Sequence, residues 1–323
     1  MAIREDLVQQ GVRFLQHPKV QNTPLSERLS FLEKKGLTPQ EIARALKLND
    51  EQTAARAAKA MASVTGAVGG ERLKGRIGIV VGGNTGLGRF ITVRLAKEGA
   101  KLIVLDSKSS ADDTKSVTDE DSATSSVVVK QGDLHDWSFI DTSFAGVVKD
   151  HGRIDFVVNC VPSGSDKQRS LVDVDEKEWD DALGVSAKAV FLSCKRALQQ
   201  LLTQDNGAVR GRIVNVASVY GGLIARPGRF TFGVSKSVVV HLTRQIAAEY
   251  ASQGVICNAV APGSIDDSVE PRDCVPPTSS QRIPAEASGH ALDVANAVLF
   301  LVSDDTRYVH GVNLLVDGGI MAT

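Results

Sequence analysis

The apolar run Ile77-Gly78-Ile79-Val80-Val81 passes directly into Gly82-Gly83-Asn84-Thr85-Gly86-Leu87-Gly88 and then into a helical pattern from Arg89. No other stretch restricts the possible folds as strongly. Gly82, Gly86 and Gly88 follow a GxxxGxG spacing. Only glycine permits both the tight turn and the close approach of backbone to an anion at a helix N-terminus. The spacing alone is weak evidence, and its place between a buried strand and a helix makes it strong. It predicts a dinucleotide-binding βα unit in which Gly82, Asn84, Gly86, Leu87 and Gly88 surround a pyrophosphate.

The remainder of the C-terminal region repeats the alternation. Leu102–Leu105, Val127–Val129, Phe156–Val158, Ile213–Val216, Val255–Cys257 and Leu314–Val316 read as buried strands, most of them separated by helical patterns. Continuous apolar strands alternating with helices predict an α/β fold, a Rossmann-type doubly wound parallel sheet. Asp106 closes the second strand 24 residues beyond Gly82. A carboxylate there accepts hydrogen bonds from ribose hydroxyls and repels a 2′-phosphate, which favours NAD(H), while Lys108 leaves room for NADP(H).

Three zones divide the 323 residues. Residues 1–48 form a helical module, 49–72 an Ala-rich and then Gly-rich linker, and 73–323 the α/β domain. Within the module a first helix ends near Gln16. Thr23-Pro24 and Thr38-Pro39-Gln40-Glu41 read as helix starts, the second with a capping box, and Gly36 as a stop. Leu7, Val8, Phe14, Leu15, Leu25, Leu29, Leu32, Ile42 and Leu46 are the expected shared core of three short helices. Residues 50–61 read as a further helix, followed by a glycine joint at Gly66, Gly69 and Gly70.

A net charge of −1 gives no basis for binding nucleic acid or anionic lipid. Cys160, Cys194, Cys257 and Cys274 are widely spaced and form no CxxC pair. Neither a metal site nor a disulfide framework is therefore expected, and a reducing compartment fits. No secretory signal, membrane span or Ser-Lys-Leu-type C-terminus is present, so location is cytoplasmic unless another segment directs it.

Further motifs fall in the order found in the short-chain dehydrogenase/reductase superfamily, which residues 73–323 resemble. Asp133 in Gly132-Asp133-Leu134 resembles the family's adenine-contacting aspartate. Asn159 stands in what is usually an Asn-Asn-Ala-Gly motif, and Pro262-Gly263 resembles the turn beside the nicotinamide. Val309-His310-Gly311 and Val316-Asp317-Gly318-Gly319 resemble the C-terminal signature. The resemblance implies hydride transfer with a small-molecule substrate, and a tyrosine, lysine and serine handling the alcohol proton and oxygen.

The catalytic pattern departs from the family at two places. Ser218 matches the serine, and Lys236 matches the lysine that also binds the nicotinamide ribose. The tyrosine position is Phe232, and the position of an asparagine that holds a relay water is Ser186. The Ser218–Phe232 interval is one residue longer than usual. Tyr220, on the loop expected to border the site, resembles the acid of mitochondrial-type 2,4-dienoyl-CoA reductases and is the expected substitute. The loop 264–280 holds Asp266, Asp267, Glu270 and Asp273 with few apolar residues, which suits a small polar substrate. The helices after Trp179 and Phe232 resemble the family's subunit interface and imply a homo-oligomer.

Residues 4–46 resemble the N-terminal domain of the peroxisomal docking anchor, the fourteenth peroxin, through Phe14-Leu15-Gln16, Pro24-Leu25, Phe31-Leu32 and Lys34-Lys35-Gly36-Leu37-Thr38. The resemblance implies that Phe14 and Phe31 receive an aromatic helical motif of the cargo receptor, with Lys34 and Lys35 as basic rim. Two expectations follow. One is an NAD-dependent oxidoreductase with a degenerate tetrad, associated with peroxisomes. The other is an inactive NAD-binding or docking protein of peroxisomal import.

Overall fold

The computed structural model describes residues 4–17, 20, 23–49, 70–107, 126–162, 169–205, 207–267 and 283–322. They fall into two compact units, one N-terminal and one beginning near residue 70. The expected helix at 50–61, Gly66, Gly69, Lys108, Cys274 and most of the 264–280 loop lie outside the described residues.

The N-terminal unit contains α1 (Glu5–Leu15), α2 (Leu25–Lys34) and a third helix, α3, over residues 39–49. Val8, Val12, Leu15, Leu32, Leu37, Ile42 and Ala45 form its core, with Leu7, Phe14, Leu29 and Leu46 packed at the edge. Leu25 is 49% exposed and does not join that core. Thr23 does not cap α2 either. Pro24 itself is the cap residue, with no side-chain hydrogen bond, and its fixed φ directs the chain into the first turn. Gly36 ends α2 at φ +86°, in the left-handed region where glycine is least strained. The capping box at α3 is formed. Glu41 Oε2 accepts from Thr38 N at 2.9 Å, and Thr38 Oγ1 accepts from Glu41 N at 3.3 Å. Glu41 also accepts from Arg4 Nη2 at 2.8 Å, which fastens the start of α1 to α3. The Arg4 hydrogen bonds hold the Glu41 carboxyl well below the usual carboxylate range.

In the second unit all seven expected strands form one parallel sheet. β1 (Ile77–Val81), β2 (Lys101–Asp106), β3 (Val127–Gln131), β4 (Phe156–Asn159), β5 (Gly211–Val216), β6 (Val255–Pro262) and β9 (Asn313–Val316) lie in the order β3-β2-β1-β4-β5-β6-β9. β7 (Ile265–Asp266) and β8 (Gly289–His290) pair separately. The flanking helices are α4 (Gly86–Lys97), α5 (Trp137–His151), α6 (Glu176–Ala182), α7 (Ala189–Leu201), α8 (Phe230–Tyr250) and α9 (Ala291–Val302). β1, β4, β5 and β6 are buried along their whole length, as a sheet covered on both faces requires. Strand order reverses between β1 and β4. In an open α/β sheet the ligand crevice forms at that switch point, beyond the carboxyl ends of the strands.

Candidate active site

Beyond those strand ends lies a cleft of about 430 Å³. Gly82, Gly86, Leu87 and Gly88 line one side, and Ser218, Phe232, Lys236, Pro262 and Gly263 the other. The glycine pattern is explained by close contacts. A Cβ on Gly82 would stand 2.4 Å from the Cys160 carbonyl oxygen, and one on Gly88 would stand 1.9 Å from the Gly82 carbonyl oxygen. Gly88 therefore seats the helix on the strand. Gly86 has φ +48° and opens α4, three residues earlier than the sequence pattern suggests. Thr85 precedes it with no side-chain cap, so no hydroxyl competes for the first helical amides. These amides and the helix dipole suit an anion.

Asp106 is buried at the end of β2, and its Oδ2 accepts from the backbone N–H of Asn84 at 3.0 Å. It thus braces the glycine loop as well as placing a carboxylate beside it. Asn84 acts through its backbone here, and its side chain is buried. Thr92, which sequence reading passes over, ties the loop to α4 by donating to the carbonyls of Gly83 (2.9 Å) and Gly88 (3.0 Å). A helix-interior threonine carries no distinctive signal by spacing alone. Asp133 is exposed, is not among the residues lining the cleft, and accepts from His135 N at 2.8 Å.

Asn159 requires a correction. It is fully buried and lies in a core network, not in the cleft. Its Nδ2 donates to Asn215 Oδ1 (2.8 Å), and Asn215 Nδ2 donates to Thr243 Oγ1 (2.9 Å), which links β4, β5 and α8. Its side chain is committed to holding the strands that carry the site.

On the other side, Lys236 is buried and donates to the carbonyls of Val161 (2.9 Å) and Val216 (3.3 Å). Burial pushes its ammonium down to about 8, against a small opposing influence of Cys160. Burial pushes the Cys160 thiol up to about 12, so this cleft-lining cysteine stays neutral. Ser218 is buried at the cleft wall, and its Oγ accepts from Tyr220 N at 3.3 Å. Phe232 lines the cleft one helical turn before Lys236.

Tyr220 also differs from expectation. It does not line this cleft and faces a second cavity on the far side of Phe232, with the two ring centroids 6.4 Å apart. The extra residue between Ser218 and Phe232 lies in this loop. Ser186 sits in a π-helical turn (residues 183–188) between α6 and α7. Its hydroxyl is fully buried and has no hydrogen-bond partner among the described residues. Such turns concentrate at functional sites, and this one packs against α8. Asp267, from the polar loop, enters the cleft beside Gly86.

Known proteins resemble the chain over most of its length. Residues 81–321 match the enoyl-(acyl carrier protein) reductase family, and residues 3–48 match the Pex14 N-terminal domain. The chain is 32% identical over 256 residues to a 2-(R)-hydroxypropyl-CoM dehydrogenase of Xanthobacter autotrophicus, covering 76% of this chain and 99% of that protein. It is 32% identical over 253 residues to a 3-oxoacyl-[acyl-carrier-protein] reductase of Thermotoga maritima, covering 77% and 99%. The structure of carveol dehydrogenase from Mycobacterium avium in complex with NAD superposes with a TM-score of 0.68 at 27% identity, covering 78% and 99%. The chain belongs to the short-chain dehydrogenase/reductase superfamily, a family of NAD(P)-dependent oxidoreductases. It carries an N-terminal segment of the Pex14 type ahead of the sheet.

Proposed function

We propose that the chain is an NAD(H)-dependent oxidoreductase with a weakened proton-transfer step, directed to peroxisomal import by its N-terminal unit. One observation carries this reading: the glycine loop, Ser218 and Lys236 line one cleft, with Asp106 bracing the loop, while Phe232 stands at the position of the acid. A bound nicotinamide dinucleotide supplies hydride chemistry there. The first turn of α4 would hold its pyrophosphate, Asp106 its adenosine ribose, and Lys236 with Pro262-Gly263 its nicotinamide end. Ser218 holds a substrate oxygen by hydrogen bond. Phe232 has no proton to give, so the Lys236 ammonium, lowered toward neutrality, is the acid nearest to hand.

Because a buried carboxylate repels a 2′-phosphate, NADH binds more tightly than NADPH. Calorimetry on the full chain tests this, and equal or tighter binding of NADPH overturns the Asp106 assignment. The exposed apolar residues Phe191 on α7 (47%) and Val238 on α8 (41%) support pairing with a second copy through those helices. Light scattering reads that association directly.

A second reading, an inactive dinucleotide-binding docking protein, is favoured by Phe232 together with the aromatic surface of the N-terminal unit. Phe14 and Phe31 stack with centroids 4.3 Å apart at 15°, and Lys35 Nζ lies 5.5 Å from the Phe31 centroid. Phe31 remains 41% exposed and Lys34 is exposed. The stacked pair supports a shared platform for an aromatic anchor. A labelled helical peptide carrying Trp-xxx-Phe binds the full chain, and Phe31→Ala weakens it more than tenfold, the loss of ~2 kcal/mol typical of a central anchor. Unchanged anisotropy removes the docking role. Peptide and NADH binding without any turnover selects the second reading.

A further inference from the structure

The first two turns of α8 serve two cavities. Phe232 and Lys236 face the cleft, whereas Phe230, Val234 and Ser237 line a cavity of about 830 Å³ on the other side of the Tyr220–Phe232 pair. This volume lies within the ~300–1,000 Å³ typical of small-molecule sites. Leu223, Ile224, Phe230 and Val234 make much of its wall apolar. Arg169, Arg226 and Arg229 also line it, and among the described residues no Asp or Glu does. Three arginines thus share one cavity wall in a chain of net charge −1.

The arginines are not equivalent. Arg169 lies 3.4 Å from Glu178 and donates to the Asp173 carbonyl at 3.1 Å. Arg226 is half-buried, its guanidinium lies 5.6 Å from the Tyr220 ring centroid, and it forms no ion pair with a described carboxylate. A guanidinium held over an aromatic face keeps its in-plane N–H edge for a bidentate acceptor, and partial burial strengthens that contact. An apolar wall with one such fork beside it fits a particular ligand shape.

We propose that this cavity binds an amphipathic organic monoanion, with a carboxylate or sulfonate head on Arg226 and an aliphatic body on Leu223, Ile224 and Val234. The site is separate from the dinucleotide cleft and does not depend on hydride transfer.

The test is calorimetry on the full chain with octanoate, octane-1-sulfonate and octan-1-ol. Both anions bind, and the alcohol binds at least ~10-fold more weakly, since a charge-assisted hydrogen bond contributes ~1.5–3 kcal/mol. Arg226→Met lowers affinity for both anions at least tenfold, leaves octan-1-ol unchanged and leaves NADH binding intact, which shows that the sheet is folded. Arg226→Lys keeps part of the anion affinity because it retains charge without the fork. Val234→Trp blocks all three probes by filling the apolar part. Absence of octanoate binding at millimolar concentration, equal binding of octan-1-ol, or unchanged anion affinity in Arg226→Met overturns the proposal. None of these outcomes bears on NADH affinity or turnover.

Discussion

On the β1–α4 side of the cleft, Gly82 and Gly88 stand where a Cβ would collide with backbone, and a buried carboxylate holds the turn. On the β5–α8 side, Lys236 and Ser218 remain, but the phenol's position is a phenyl and the asparagine's a serine. The two sides answer to different physics. Dinucleotide binding depends on backbone shape and amide direction, which several residues enforce jointly. Proton transfer depends on one group with a suitable pKa, and a single substitution removes it. The cleft can therefore keep its ligand geometry while losing most of its rate.

The largest test of this contrast is Phe232→Tyr. It places a phenol one helical turn before a lysine whose pKa is already lowered. A positioned general acid is typically worth ~10²–10⁴-fold, so turnover of simple carbonyl substrates with NADH rises by that order. Steady-state NADH oxidation reads it. No gain in a folded variant locates the defect in Ser186 and the longer loop as well.

Gly88→Val attacks the other side. The added side chain must displace the Gly82 carbonyl, only 1.9 Å away. Loss of two phosphate–amide contacts, each worth ~1.5–3 kcal/mol, would lower NADH affinity more than ~100-fold. Overpacking also lowers stability by ~1–3 kcal/mol. Retained affinity would mean that the loop is not the anion site.

The contrast between the sides also explains what could be read from sequence. All seven parallel strands were legible as short apolar runs alternating with helical patterns, most strongly β1, β4, β5 and β6, which are buried along their whole length. The glycine loop was legible because its spacing is a local steric requirement. Asn159 was misassigned because a strand-end asparagine can face the cleft or the core, and only Asn215 and Thr243 on distant elements decide which. Tyr220 was misplaced for a related reason. Its direction depends on the path of a loop one residue longer than usual, and chain spacing does not determine that path. The exposure of Leu25 and the stacking of Phe14 on Phe31 are likewise set by how helices pack.

Lys236 gives a smaller, pH-dependent test. Its pKa falls from the ordinary 10.5 to about 8 in the folded chain. Between those values the unfolded chain binds more protons, so stability rises with pH, and the burial cost is carried in full below pH 8. The total is on the order of 3 kcal/mol. Relative to Lys236→Met, the parent chain therefore gains stability from pH 8 to about pH 10.5. Urea unfolding of the ligand-free pair across that range measures the difference. A difference that does not change with pH would show that the ammonium is not desolvated as described.

The smallest effect concerns Asp267, which brings a negative charge into the side built for anions. Its Oδ2 lies 3.0 Å from where a Gly86 Cβ would stand, at the N-terminal end of α4. In the ligand-free chain the carboxylate is favourable there, because it interacts with the helix dipole. A pyrophosphate bound there would occupy the same field, and the two anions would repel. Asp267→Asn removes that competition, and the ~0.3–1 kcal/mol typical of a charge at a helix end corresponds to a two- to fivefold tighter NADH Kd. Salt screens the effect, so the ratio between variant and parent shrinks toward one as ionic strength rises. The same change slightly lowers the melting temperature of the ligand-free protein, since the helix loses its favourable charge. Weaker NADH binding by Asp267→Asn would reverse the assignment, making Asp267 a hydrogen-bond acceptor for the cofactor and extending the binding half of the cleft into the acidic loop.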